Sequence, residues 1–371
     1  MSDDAVLMQG RQTKRKFKKS LLLITIALLL LAAAWVAIHP QTLLDDLNTV
    51  LARFSSGNAN RWITTDYGPD ACSFLLENQA FFAEDGMLTA MRLDGSVTRR
   101  EVTGLISPQT VVSEKAAALY DSGGKQLVVV TGQTVHTLDI PSGVDAATVS
   151  SRGETAVITA GSGYDAVTQW YDADGNILRT IGFQKEAVVL MTFFRDANTL
   201  AAVVLADGGV WNLRFYEEDH SVDIPLNVSE VYDLKPCGEG VALWCSNGLL
   251  VFSGTGNLAS SLEFAPEELL LWDSSSFAAA VLLEEGAPVL VTLDETGNTF
   301  RSEPLSRTPR GLSVSASRLC VLDREALLIY DKQCRLKDSA PEGALAAHVQ
   351  AIPGGAAVFG DCEFMRYIPI A

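Results

Sequence analysis

Histidine, cysteine and paired carboxylates are the side chains that most often do chemistry at neutral pH, and each is present here in a pattern that can be read. The chain has four histidines, His39, His136, His220 and His348. None stands in metal-ligand spacing with another His or Cys. Asp172-Ala173-Asp174-Gly175-Asn176 is similar to the start of a calcium loop. A full loop needs a longer ligand series ending in Glu, whereas here the chain runs straight into Ile177-Leu178-Arg179-Thr180, strand-like in composition. A hairpin turn is the expectation. Gly161-Ser162-Gly163 and Ser253-Gly254-Thr255-Gly256 are not nucleophile elbows, because no helix follows either. No catalytic residue, metal ligand or cofactor site is assigned, and no cofactor is expected.

Six cysteines remain: Cys72, Cys237, Cys245, Cys320, Cys334 and Cys362. An even count outside the cytoplasm permits disulfides. Cys237 and Cys245 flank Gly238-Glu239-Gly240 and are one candidate pair. Cys320 with Cys334, and Cys72 with Cys362, are the others. The competing expectation is that all six are small buried hydrophobes.

The positioning elements begin with a charge asymmetry. Residues 1–19 form a basic tail, with Arg11, Lys14, Arg15, Lys16, Lys18 and Lys19 against Asp3 and Asp4, a net of +4. Residues 39–371 carry 22 basic and 43 acidic side chains, a net of −21. Between them Ser20–Ile38 is uncharged and holds seven Leu. As a helix this run reaches about 28 Å, close to the hydrocarbon thickness of a bilayer. The basic cluster before it predicts a cytoplasmic N-terminus and an extracytoplasmic C-terminal domain. Ala32 and Ala34 offer the small-x-small pattern of a cleaved signal peptide. The long charged segment before the run, and its extension to Ile38, favour an uncleaved anchor. The acidic domain argues against nucleic acid, since it has no basic stripe for phosphates.

Residues 39–60 read as a juxtamembrane linker. From residue 61 to 371 short apolar runs recur between Gly, Asp, Asn, Ser and Pro: Leu127–Thr131, Ala156–Ala160, Leu200–Leu205, Val241–Cys245, Ala278–Leu283, Val289–Leu293 and Leu327–Tyr330. This is strand composition. Turn signals that fit two-residue hairpins stand at Asp94-Gly95, Asp174-Gly175, Gly256-Asn257 and Gly297-Asn298. Their glycines in the first two, with Gly256 and Gly297, are spaced by about two, two and one units of roughly 40 residues. Weaker equivalents stand at Pro141-Ser142-Gly143, Glu217–His220 and Asp331-Lys332. A period near 40 with four short strands predicts an all-β propeller, and residues 62–371 accommodate eight blades, with seven as the alternative. Leu345 to Ile370 supplies three strands. Arg61-Trp62-Ile63-Thr64-Thr65 is placed to supply the fourth and close the ring.

The plan of basic tail, apolar helix and divergent propeller, with phrases such as Met91-Arg92-Leu93-Asp94-Gly95, Trp170-Tyr171-Asp172-Ala173-Asp174-Gly175 and Ile329-Tyr330-Asp331, resembles a family of clostridial membrane-anchored proteins, domain of unknown function 5711. That resemblance implies an architecture and no catalytic residues. The repeats lack the regular Gly-His and Trp-Asp signatures of WD repeats, Trp272-Asp273 being a single instance. Leu293-Asp294-Glu295-Thr296-Gly297 is similar to part of the quinoprotein docking consensus.

A rigid repeat platform without a catalytic constellation predicts a binding or scaffold module for a protein or cell-surface polymer. The alternative is a glycan hydrolase or lyase with carboxylates at the propeller channel. A sensor is a third reading, with only the short tail available for output. Trp62, Trp170, Trp211, Trp244 and Trp272 are expected mostly to pack between blades.

Overall fold

The computed structural model describes residues 62–369 except 66, 69, 70, 133, 162, 195–198, 218, 219, 317, 342–345, 353, 354 and 361–363. The apolar run Ser20–Ile38, its flanking segments and Cys362 lie outside the described residues. Among the described residues no helix is long and apolar enough to cross a membrane.

Among the described residues thirty-two strands form eight four-stranded antiparallel sheets. Seven are simple meanders, so sequence neighbours are also sheet neighbours. They span residues 72–102, 109–139, 146–183, 186–226, 231–262, 269–301 and 311–341, and are blades 1 to 7. Blade 8 is made from both ends of the chain. Its strands His348–Ile352, Gly355–Gly360 and Phe364–Pro369 are completed by Ile63–Thr64. Ile63 pairs with Met365 and Thr64 with Phe364. The eight-blade count and the closure expected from the sequence are both found. The seven-blade alternative falls, since the ragged last repeat is a true blade once Ile63–Thr64 is added.

The first strand of every blade touches the first strand of the next, and that of blade 8 touches that of blade 1. First strands therefore ring the axis and fourth strands form the outer wall. Burial follows this order. The second strand of blade 2, Ala116–Tyr120, is buried throughout, whereas the fourth strand of blade 1, Val97–Val102, is exposed at almost every position. Side chains alternate between the two faces of a strand, and both faces meet a neighbouring blade. Ala117 and Leu119 pack on Phe74 and Phe81 of blade 1, while Ala116, Ala118 and Tyr120 pack on Val157 and Tyr171 of blade 3. The apolar runs are near-continuous for this reason. Second strands are rich in alanine, as at Ala201-Ala202 and Ala278-Ala279-Ala280, and buried rings occur on first, second and third strands alike, as at Phe193, Phe81 and Tyr216.

The recurrent Asp-containing turns join third to fourth strands. Asp172–Asn176 shows their chemistry. The Asp172 N–H donates to the Asn176 carbonyl at 2.9 Å and the Gly175 N–H to the Asp172 carbonyl at 3.1 Å. The Asp172 carboxylate accepts the N–H groups of Asp174 and Asn176 and the Asn176 amide. These bonds, the Asn176 amide first, hold its carboxyl below the usual range. Three residues stand between the paired ends, and a register shift follows at Trp170/Tyr171. The turns are thus three-residue loops with a glycine bulge. The two-residue expectation is corrected: the strong strand twist within a blade is met by the bulge instead. The blade-2 equivalent is also corrected. Pro141-Ser142-Gly143 links the fourth strand of blade 2 to blade 3, and the third-to-fourth turn of blade 2 lies at Thr131–Thr134.

Gly175 has φ +87° and a Cβ there would overlap Leu138 Cδ2 on the fourth strand of blade 2. Gly95 meets Ile63 of blade 8, and Gly256 meets Ile224 of blade 4, in the same way. The turn glycine is therefore a blade–blade contact as well as a conformational requirement. Blade 7 inverts the arrangement. Cys334 occupies the glycine position with φ +57°, and its thiol reaches back to the Leu290 and Phe300 carbonyls of blade 6. Gly175→Ala combines left-handed strain with displacement of Leu138. It is expected to lower stability by about 1–2 kcal/mol, read as a reduced urea midpoint; an unchanged midpoint would show that the turn does not need glycine.

Candidate functional site

The axial channel is the natural place to look for convergent polar groups, because eight first strands expose their partly buried side chains to it. Two carboxylates meet there. Asp233 lies on Val231–Cys237, the first strand of blade 5, and Asp273 on Leu269–Ser274, the first strand of blade 6. Lys235 Nζ stands 3.0 Å from Asp273 Oδ1 and 4.0 Å from Asp233 Oδ2. The ammonium also sits over the Trp272 ring, 4.6 Å from its centroid, a cation–π contact. Tyr232 is beside the group. Its ring lies 4.7 Å from that of Trp244, and its hydroxyl donates to Glu230 at 2.7 Å. Burial raises the Asp233 carboxyl above its ordinary value, against the opposing pull of Lys235.

The carboxylate pair has the composition of an acid–base site, but its bonding is that of a fastener. Asp273 Oδ1 takes the Lys235 ammonium of blade 5, and Oδ2 takes the Val314 N–H of blade 7 at 2.9 Å. One side chain thus joins three consecutive blades. Glycoside hydrolysis asks one carboxyl to protonate a leaving oxygen and the other to attack or activate water. Both oxygens of Asp273 are already engaged by its own chain.

The same device continues from blade 7 through blade 8 to blade 1. The Ser313 hydroxyl of blade 7 accepts the Ala351 N–H of blade 8 at 3.0 Å. The Gln350 amide of blade 8 accepts the Leu75 N–H of blade 1 at 2.8 Å and donates to the Leu75 carbonyl at 3.0 Å. A glutamine here imitates the edge of a strand and so seals the closure. Further out, Ser276 donates to the Ala316 carbonyl, Thr292 to that of Lys332 and Arg179 to that of Glu217, in each case one repeat onward. Sequence inspection did not single out Lys235, Asp273, Ser313 or Gln350. Their signal was present: polar side chains about one repeat apart on first strands. Trp272-Asp273, read only as a stray Trp-Asp pair, is the centre of the fastener.

The residues that the sequence did single out are dispersed. His136 is exposed on an outer strand, His220 pairs with Glu217 at 3.1 Å, and His348 stacks on Phe359 with its ring nitrogen 3.3 Å from the Ser73 hydroxyl. Among the described residues no three His, Cys, Asp or Glu side chains form a metal-holding group. The candidate disulfide between Cys237 and Cys245 is not assembled. Cys237 pairs with Gly240 and Cys245 with Val231, so the thiols stand at opposite ends of the hairpin, about 17 Å apart along the strand, far beyond bridging range. Cys320 and Cys334 face different neighbours, blade 8 and blade 6. Cys72 donates to the Pro108 carbonyl at 2.8 Å, and its candidate partner Cys362 is outside the described residues. The described tryptophans pack where blades meet: Trp62 at the closure, Trp170 and Trp211 on either side of blade 4, and Trp244 and Trp272 between blades 5 and 6.

Residues 72–216, which are blades 1 to 3 and three strands of blade 4, match the model of a family of unknown function (DUF5711). No curated protein sequence matches the chain. The fold is similar to that of Sqt1 from Saccharomyces cerevisiae, with a TM-score of 0.55 at 13% identity over 85% of this chain and 99% of that one. It is also similar to the C-terminal WD40 domain of Sif2, at 0.54 and 10% over 85% and 100%. BamB from Moraxella catarrhalis gives 0.53 and 13% over 84% and 99%. At these identities the likeness is one of fold.

Two outcomes are expected. Asp273→Ala strands the Val314 N–H and the Lys235 ammonium, and should cost about 1–3 kcal/mol, measured as a lowered unfolding midpoint. The Cys237 and Cys320 thiols, each pushed up to about 12 by burial, should resist iodoacetamide at neutral pH in the native protein and alkylate in denaturant without reductant. Mass spectrometry checks this; a requirement for reductant would restore the disulfide reading.

Proposed function

We propose that the chain is a binding or scaffold module, held at the outer face of a membrane by Ser20–Ile38 and presenting a propeller face to a protein partner. The observation that carries this reading is the fastening of the first strands, from Lys235 and Asp273 through Ser313 to Gln350. From blade 5 round to blade 1 these polar groups are committed to rigidity, and a fixed ring leaves its linkers and turns as the surface available for recognition. The uncharged run behind a basic cluster supports the anchor and its orientation, and the net charge of −21 beyond it suits a domain kept soluble and clear of anionic lipid headgroups. The WD40-like fold is compatible with a protein partner.

The membrane-impermeant lysine reagents used on intact cells test both parts. Biotinylation should label propeller lysines such as Lys115 and Lys332 and leave Lys14, Lys16, Lys18 and Lys19 unlabelled; the reverse pattern overturns the orientation. An impermeant crosslinker should yield a discrete adduct of higher mass than the monomer, and its absence overturns the binding role.

A further inference from the structure

Three consecutive first strands carry the same irregularity. In blade 4, Val188 pairs with Val204 and Leu190 with Val203, so Val189 is an extra residue. In blade 5, Val231 pairs with Cys245 and Asp233 with Trp244, leaving Tyr232 over. In blade 6, Leu269 pairs with Leu282 and Leu271 with Val281, leaving Leu270 over. The first strands of blades 1, 2, 3, 7 and 8 pair with their second strands in unbroken register. A bulge releases one residue from the ladder and re-aims its side chain. Here the three released residues are aliphatic or aromatic, and all lie towards the face built from the linkers between blades and the second-to-third turns. Val189 is 39% exposed, and Tyr232 and Leu270 are partly exposed. Behind Tyr232 stand Trp244 and then Trp272, with rings 6.5 Å apart. The Trp244 indole N–H is buried and has no acceptor.

That sector of the face is acidic. The linkers and second-to-third turns of blades 4 to 6 hold six carboxylates, among them Glu230, Glu267 and Glu268, and one cation, Lys185, a net of −5. An apolar crescent therefore lies inside an acidic frame. Its aromatic wall already accepts one ammonium, that of Lys235 over Trp272.

We propose that the crescent of Val189, Tyr232 and Leu270 docks an extended segment of a partner protein in which cationic side chains neighbour apolar ones. Apolar side chains cover the bulged residues, and Lys or Arg side chains meet Glu230, Glu267 and Glu268. The acidic frame repels an anionic polymer, and the aliphatic members of the crescent offer no flat face for a sugar ring to stack on. This assignment rests on the binding-module reading and gives it a location and a partner chemistry.

The probe is a fluorescent peptide of about twelve alternating Lys and Leu residues, titrated by anisotropy against the full chain in a neutral detergent. Wild type should bind it, more weakly as salt rises from about 50 to about 500 mM. Val189→Ser with Leu270→Ser, and separately Glu267→Lys with Glu268→Lys, should each weaken binding at least about tenfold. Glu303→Lys with Glu325→Lys, on the same face but outside the sector, should not. Each comparison is made in the same detergent, so peptide held by micelles cancels, and the charge variants keep the test valid if the apolar pair perturbs folding. Equal affinity in all variants, or equal binding of a peptide of the same length with Glu in place of Lys, or of a neutral oligosaccharide, overturns the proposal. A crosslinked adduct that persists on intact cells in the crescent variant overturns this location alone, whereas the absence of any adduct from wild type overturns the binding-module reading beneath it.

Discussion

Burial of both faces of every blade is the constraint from which the rest of the molecule follows. A lone four-stranded sheet of this composition would expose an apolar surface on each side, and no helix among the described elements is long enough to cover one. The hydrophobic clusters correspond one to one with the junctions between successive blades, from blade 1 against blade 2 round to blade 8 against blade 1. Hydrophobic burial is roughly proportional to area, so each junction is satisfied only if the next blade is present. The chain of such demands ends when the ring closes. Ile63–Thr64 and the Gln350 staple on Leu75 are therefore consequences of the same demand, met at the one place where the backbone is not continuous.

Closure also divides labour along the radius. On the first strands of blades 5 to 8, polar side chains such as Asp273, Ser313 and Gln350 bridge to the next blade, and rings such as Phe74, Trp170 and Phe215 fill the junctions between blades. At the rim the turn glycines meet aliphatic side chains of the preceding blade. Cys334 shows that this contact can be made from the other side, with the turn residue supplying the side chain and accepting a left-handed backbone. A ring so fastened has little freedom to rearrange about its axis, and that suits a platform for recognition.

Much of this architecture was legible before the structure. Strand composition and turn chemistry are local properties, so Leu200–Leu205 and Ala278–Leu283 read as strands, and the glycines at 95, 175, 256 and 297 exposed the repeat. The fate of Pro141-Ser142-Gly143 shows the limit of that reading. Its residue types announce a turn but do not say which two strands it joins. The spacing of Cys237 and Cys245 suggested proximity across a hairpin. Proximity in sequence near a turn does not imply proximity in register, and Gly240 rather than Cys245 stands opposite Cys237.

By itself the sequence determined the repeat and the all-β class, and pointed to a last blade shared by both chain ends, because periodicity and turn residues act within a few positions of where they are written; the structure decided between seven and eight blades. Tertiary structure decided that Asp273 binds Lys235 and the Val314 N–H, and that Val189, Tyr232 and Leu270 fall out of register. A bulge is a mismatch between two strands and belongs to neither of them, and a bridge across blades depends on how far each first strand slides before its faces are filled. Those offsets are set by packing the whole ring, which no local stretch of residues encodes.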